Sequence, residues 1–354
     1  LINILSNMVD TLVKETTTVT KDVSGSLLIS AADGATLKGI RIGGDLILAP
    51  GVTKDVTLVD CVIQGNIRNY GTGEVRFEAP QITPESTAAK PSEVYKPGAT
   101  LDRTLEYGGK TVPIYRDRPL NVFSDVDFIW TGEENENQRR LEYLGGEFRT
   151  RYGIDVSSFQ GEIDWDAVAD DNIDFAMVRV GFRGTGTGSL NTDKYYEQNI
   201  RGAMRAGLET GVYFFAQAVT VEEAIEEADY VISLLDGLDI NGPVAYDWEM
   251  HDSTYRVYGT SPEMATACAV AFCERIKDAG YTPMVYAGTY VTYMKYDQGA
   301  LADYLSWYPE YKSEKSEKLC PTLVYHMDYW QFSSSRAVAG INGRVDMNIQ
   351  FIRR

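Results

Sequence analysis

The stretch GPVAYDWEM, residues 242–250, decides how this chain is read. Pro243 to Tyr246 is an apolar run with strand character, and it ends in two carboxylates, Asp247 and Glu249. In a strand, residues i and i+2 point to the same face, about 6.5–7 Å apart along the chain. The two acids therefore share a side and Trp248 faces the other. Apolar residues first and acids last is the polarity of a βα-barrel strand, whose C-terminal end carries the chemistry. Two close carboxylates repel, so one binds its proton more tightly while the other stays charged. That division suits glycoside cleavage: the protonated acid donates to the leaving oxygen, and its charged neighbour supports positive charge at the anomeric carbon. Taken alone, Asp-x-Glu is weak evidence and is better explained as a solvated strand end.

The surrounding chain supplies the barrel. Strand-like runs YGIDVS, DFAMVRV, GVYFFAQA, PVAYDWE, TPMVYAG, YLSWY, VYHMDYWQF and RVDMNIQF follow one another between residues 152 and 351. Helical patterns separate the earlier ones: TDKYYEQNIRGAMRAG, TVEEAIEEADYVISLLDG and SPEMATACAVAFCERIKDAG. Each opens with a Thr or Ser as N-cap and closes at Gly. Eight strands, the early ones alternating with helices, predict an α/β fold, an irregular TIM-like βα-barrel with few helices late. Two further acids sit at strand ends, Asp155 in YGIDVSSFQG and Asp346 in GRVDMN. In a closed barrel the first and last strands are neighbours, so all four acids converge on one rim. Tyr213, Phe215, Tyr246, Tyr286, Trp307 and Trp330 fall near the same ends. Rings beside acids form a sugar-binding surface; each ring singly is better explained by core packing, and the convergence of the set carries the inference.

At this point the residues resemble a known family. GIDVSSFQGEIDW (153–165), DWE (247–249), YWQFSS (329–334) and INGRVDMN (341–348) are similar to glycoside hydrolase family 25, the lysozymes or N-acetylmuramidases. The resemblance covers residues 152–354 only. It implies a secreted or cell-surface peptidoglycan hydrolase that cleaves the β-1,4 bond between N-acetylmuramic acid and N-acetylglucosamine with retention. Glu249 would be the general acid. Asp247 would orient and charge-stabilise the substrate's 2-acetamido group as internal nucleophile, and Asp155 and Asp346 would shape the site. Tyr213, Phe215, Tyr246, Tyr286, Trp307, Trp330 and Gln331 would hold the glycan strand. No metal or organic cofactor is implied. The chain departs from the family in having Tyr213-Phe214-Phe215 where Tyr-His-Phe is common. The segment LSWYPEY around Trp307 also lacks the usual Ala before a later Tyr.

Two rival readings stay open. DGLDINGPVAYDWE suggests a chitinase-like enzyme, but Asp239 lies eight residues before Asp247 and so cannot line the same strand face beside it. A non-catalytic wall-binding protein on the same scaffold is the other, because a fold does not prove an activity.

The first part of the chain has a different grammar. TLKGIRIGGDLIL from Thr36 and TLVDCVIQGNIRN from Thr57 match at a 21-residue offset: Leu37 with Leu58, Ile40 with Cys61, Ile42 with Ile63, Gly44 with Gly65, Leu46 with Ile67. A looser copy from Thr18 places Gly25 and Leu27 alike. Alternating apolar residues with glycine corners at a period near 20 predict an all-β, solenoid-like domain over 1–79, each rung covering the next. An ordinary sandwich is the alternative. LINILSNMVDTLVKE, with Leu1, Ile4, Leu5, Met8 and Leu12 at helical spacing, predicts a short capping helix. Residues 80–150 read as a linker with short strands, and the catalytic barrel spans 151–354. The N-terminal domain could bind wall polymers, serve as a spacer or contact another chain.

The formal charge of −18 in 354 residues argues against nucleic acid or an anionic membrane surface as partner. No apolar run is long enough to span a membrane, and the start lacks the basic region and cleavage site of a signal peptide. Cys61, Cys268, Cys273 and Cys320 have no metal-ligand spacing and read as free thiols.

Overall fold

The computed structural model describes residues 11–59, 61–63, 67–78, 91–98, 100–132 and 139–354. The chain divides into two compact units, Leu1–Thr87 and Ala88–Arg354.

In the first unit every described ladder is parallel. One runs through Thr11–Val13, Leu27–Ile29, Leu46–Leu48 and Ile67–Asn69; a second through Thr18–Val19, Ala35–Lys38, Val56–Val59 and Val75–Glu78. Arg41–Ile42 and Val62–Ile63 form a third. Residues aligned by the 21-residue offset lie side by side: Leu37 beside Leu58, Ile42 beside Ile63, and Leu46 beside Ile67. The interior is filled by Leu27, Leu37, Ile42, Leu46, Leu48 and Val56, all fully buried. Corners demand glycine. At Gly34, φ is +76° and a Cβ would lie 2.0 Å from the Asp55 carbonyl oxygen, so no side chain fits. The helix expected at the chain start and Gly65 lie outside the described residues. Leu12, the last apolar member of that helical pattern, is in strand Thr11–Val13 instead.

The second unit is built on a closed eight-stranded barrel: β1 Phe148–Val156, β2 Phe175–Arg183, β3 Glu209–Ala216, β4 Val244–Trp248, β5 Pro283–Tyr286, β6 Leu305–Pro309, β7 Tyr329–Arg336 and β8 Val345–Arg353. Neighbours from β1 to β7 pair in parallel. β8 runs antiparallel to both β7 and β1 and closes the barrel. Helices α1 Trp165–Asp170, α2 Tyr196–Arg205, α3 Val221–Leu234, α4 Pro262–Asp278 and α5 Thr289–Met294 fill the first five crossovers, and the last two connections carry none. Thr220 caps α3 and Ser261 caps α4, each accepting from a backbone N–H in the first turn. For α2 the expected Thr cap fails. Thr192 ends a short strand, and Asp193 takes the Tyr195 N–H instead.

Side chains alternate between two cores. Phe175, Met177, Ala245, Met284, Trp307 and Tyr329 pack inside the barrel. Val212, Phe214, Tyr246, Trp248, Trp330 and Ile349 face outward into the layer against helices and loops. Of the segment read as a linker, residues 80–90, 99 and 133–138 lie outside the described residues, and Pro91–Val94 forms one helical turn. The short strands after it pair as two hairpins, 101–107 with 110–115 and 128–131 with 140–143. Both belong to the second unit: Phe123, Phe128 and Tyr143 interlock with Phe148 and Phe351, with ring centroids 4.4–6.3 Å apart. The folded unit therefore begins well before residue 151. Cys61, Cys268, Cys273 and Cys320 are free thiols.

Candidate active site

The barrel's inward rows meet at one rim. On β1 the inward positions are Gly153 and Asp155, and Gly153 is required because a Cβ there would strike the Phe175 ring at 2.3 Å. On β4 the inward residues are Ala245 and then Asp247, and the chain leaves the strand at Glu249. The antiparallel β8 presents its start at this rim, which puts Asp346 directly opposite Asp155 in register.

Asp155 is 5% exposed and Asp247 7% exposed, whereas Glu249 keeps 24% of its side-chain surface in solvent. A hydrogen-bonded chain fixes Asp155. Gln331 Nε2 and Asn348 Nδ2 both donate to its Oδ2, at 2.9 and 2.8 Å. Behind them, Tyr286 Oη and Tyr311 Oη donate to Gln331 Oε1 at 3.0 and 3.2 Å. Trp307 Nε1 donates to Asn348 Oδ1 at 2.8 Å. Each amide can present only one orientation, because its oxygen is already engaged by a donor.

Opposed residues on an antiparallel pair have Cβ atoms about 5 Å apart, and two charges even at that separation repel by about 3 kcal/mol at an effective dielectric of 20, more than two pK units. The pair cannot both ionise cheaply. Burial pushes Asp346 up, and the adjacent Asp155 charge pushes it further, so Asp346 keeps its proton and donates it to Asp155. Burial also raises Asp155, against the donors from Asn348, Gln331 and Asp346 that hold it down. Asp247 is pushed well above the usual carboxylate range, by burial first and then by the charges of Glu249 and Asp155. Arg179 partly offsets this. Its own guanidinium is tied to Asp193, at 2.8 and 2.9 Å. The Asp247 Oδ1 atom is buried and has no hydrogen-bond partner in the structure. A buried acceptor left without a partner, across the cup from the fully bonded Asp155 Oδ2, marks where a ligand N–H or O–H belongs.

The structure brings Asp155, Asp247, Glu249, Asp346, Tyr213, Phe215, Tyr286, Trp307 and Gln331 to the inward face or rim. Tyr213 and Phe215 are half-buried, and Phe215 lies beside Asp247 in register. Two expected contacts are corrected. Tyr246 is fully buried against Phe272, with ring centroids 4.7 Å apart, on the outer face of β4. Trp330 is fully buried outside β7, its Nε1 donating to the Glu310 carbonyl at 3.0 Å. Strand alternation places each opposite to its neighbour, Asp247 or Gln331. Sequence reasoning missed Asn348, Tyr311, Arg179 and His251. The signal for Asn348 was its i+2 spacing from Asp346, and for His251 the same spacing from Glu249. Asp236 and Asp239 sit in the exposed turn before β4, at the end of the strand remote from Asp247. Among the described residues no cluster has the makings of a metal site, and no helix is long and apolar enough to cross a membrane.

A sequence model of Glycosyl hydrolases family 25 matches residues 154–341. The autolytic lysozyme of Clostridium acetobutylicum is 26% identical over 197 residues, 55% of this chain and 54% of that protein. Lysozyme M1 of Streptomyces globisporus is 27% identical over 201 residues, 55% of this chain and 66% of the other. This chain thus spans about half the length of the clostridial relative. Among solved structures, the spore cortex lytic enzyme SleM of Clostridium perfringens is 23% identical with a TM-score of 0.49, covering 57% of this chain and 67% of that one.

Proposed function

The chain belongs to glycosyl hydrolases family 25, and from that membership we propose that it is a peptidoglycan hydrolase, an N-acetylmuramidase acting outside the cell or at its surface. Its substrate is the β-1,4 bond between N-acetylmuramic acid and N-acetylglucosamine. The observation that carries the reading is the unpartnered, buried Oδ1 of Asp247 beside the more exposed Glu249.

In this reading the acetamido N–H of the muramic acid fills the vacant bond to Asp247 Oδ1. That contact stabilises the carboxylate form burial opposes, so as substrate binds Asp247 ionises and its proton passes to the neighbouring Glu249. A charged Asp247 then polarises the acetamido group, whose oxygen attacks the anomeric carbon as Glu249 gives its proton to the leaving oxygen. An oxazolinium intermediate forms, the C–O bond to glucosamine breaks, and Glu249 as carboxylate draws a proton from the water that opens the ring. Two displacements at one carbon retain its configuration. The Asp155–Gln331–Asn348 network, capped by the Asp346 proton, holds the far wall of the cup in place.

The test is product analysis on defined peptidoglycan. New reducing ends on muramic acid, with the β-anomer appearing first by NMR, support the proposal; ends on glucosamine, or digestion only of chitin oligomers, overturn it. Glu249→Gln is expected to abolish turnover while leaving the fold intact. Asp247→Asn is expected to cost more than about a hundredfold, the value of one preorganised charge; a loss below about tenfold would reassign that residue.

The N-terminal unit is read as a short β-solenoid, supported by its parallel rung-to-rung pairing, and assigned a wall-binding or spacing role. Retention of residues 1–87 on purified cell walls supports binding; free passage leaves spacing.

A further inference from the structure

Glu249 presents a problem of aim. β4 ends at Trp248, and its last pair with β5 is Asp247 with Tyr286, so no ladder bond fixes the residue that must reach the glycosidic oxygen. A general acid misplaced by about 1 Å loses on the order of a hundredfold. Something else must hold it.

Two contacts do. The Gln217 side chain donates from Nε2 to the Glu249 carbonyl oxygen at 2.8 Å. Gln217 is fully buried and is itself clamped at both backbone atoms. Its N–H donates to the buried Glu227 carboxylate at 3.0 Å. Its carbonyl accepts from Arg256 Nη1 at 2.9 Å, and Arg256 grips Glu223 through two nitrogens, at 2.7 and 2.9 Å. The second contact is at the carboxyl. His251 Nε2 lies 2.6 Å from Glu249 Oε2, and the imidazole stands edge-on to the Tyr255 ring, 5.3 Å between centroids.

We propose that Gln217 and His251 are positioning residues for the general acid, Gln217 fixing the backbone of Glu249 and His251 fixing its carboxyl. His251 donates its Nε2–H to Oε2. Oε2 is thereby engaged, which leaves Oε1 to carry the transferable proton. The inference rests on the assignment of Glu249 as general acid. It gives a role to a histidine whose side chain is 63% exposed and yet stands 2.6 Å from the acid. It also gives a use to ion pairs that make no contact with the cup.

The experiment is steady-state hydrolysis of soluble peptidoglycan fragments by the full chain, with thermal unfolding measured in parallel. His251→Ala should lower kcat about tenfold or more, with KM within about twofold and an unchanged unfolding temperature, because an exposed ring contributes little to the core. His251→Gln, which keeps an N–H donor at the place of Nε2, should restore most of the rate, an outcome a structural role does not predict. Gln217→Met, similar in volume but without the donor, should also lower kcat at constant KM; should it unfold, the His251 pair decides alone. A kcat for His251→Ala within about twofold of wild type, or no rescue by His251→Gln, overturns the inference. Glu249→Gln, assayed alongside, separates the two failures: if it is inactive the general acid stands, and if it is active the underlying assignment has fallen instead.

Discussion

Asp155, Asp247 and Asp346 are held where ionisation is costly, and that cost should register in stability. A carboxyl raised in the folded state binds its proton more tightly than in the unfolded chain, whose value is about 3.9. The stability it confers is complete below the unfolded value and is lost as pH rises through the folded one. Stability should therefore decline from pH 4 toward pH 8 in proportion to these groups. Asp346→Asn keeps a donor toward Asp155 but cannot ionise. It is expected to raise the unfolding temperature at pH 8, by about 2–4 °C per kcal/mol recovered, and to leave it unchanged at pH 4; calorimetry at both values checks this. A rise of equal size at pH 4 would show packing rather than charge. The four acids were legible in the sequence because acids ending apolar runs are rare and here recur. That Asp247 would carry the orphaned oxygen was not, since it depends on which donors the other seven strands bring.

At the scale of elements, strand-like apolar runs identified all eight barrel strands, and the period of two within them shows where reading each ring by position alone went astray. Tyr246 and Trp330 lie next in sequence to Asp247 and Gln331, and alternation sends them outward. Tyr246 has, in addition, a buried hydroxyl with no partner. Tyr246→Phe is thus expected to leave kcat and KM unchanged and the unfolding temperature equal or higher, because it deletes an unpaired polar group; a raised KM would return the ring to the glycan. Helix caps were readable for α3 and α4, where Thr220 and Ser261 bond the first turn. The α2 start was not, because Leu190–Thr192 pairs with β2 and takes the expected cap into a strand.

For the whole molecule, the limit of the catalytic unit was the least legible feature. Phe123, Phe128 and Tyr143 come from turns and short hairpins without helical or strand period across the segment. Only the folded chain shows them packed on Phe148 and Phe351. A fragment of residues 88–354 is expected to fold cooperatively and hydrolyse soluble fragments, whereas residues 151–354 should aggregate or melt early through the uncovered aromatic layer; circular dichroism melts of the two decide it. The N-terminal repeat was easier to see, because a fixed offset survives in sequence even when the rungs diverge.

The antiparallel β8 has a consequence in time as well as space. Wedged between β1 and β7, it alone supplies Asp346 and Asn348. Translation delivers β1 first and this strand almost two hundred residues later. A chain that has delivered seven strands holds neither Asp346 nor Asn348, so Asp155 has only one of its two amide donors, Gln331. The four-acid rim is therefore the last part of the barrel to be completed, closed only when the eighth strand joins the first and the seventh.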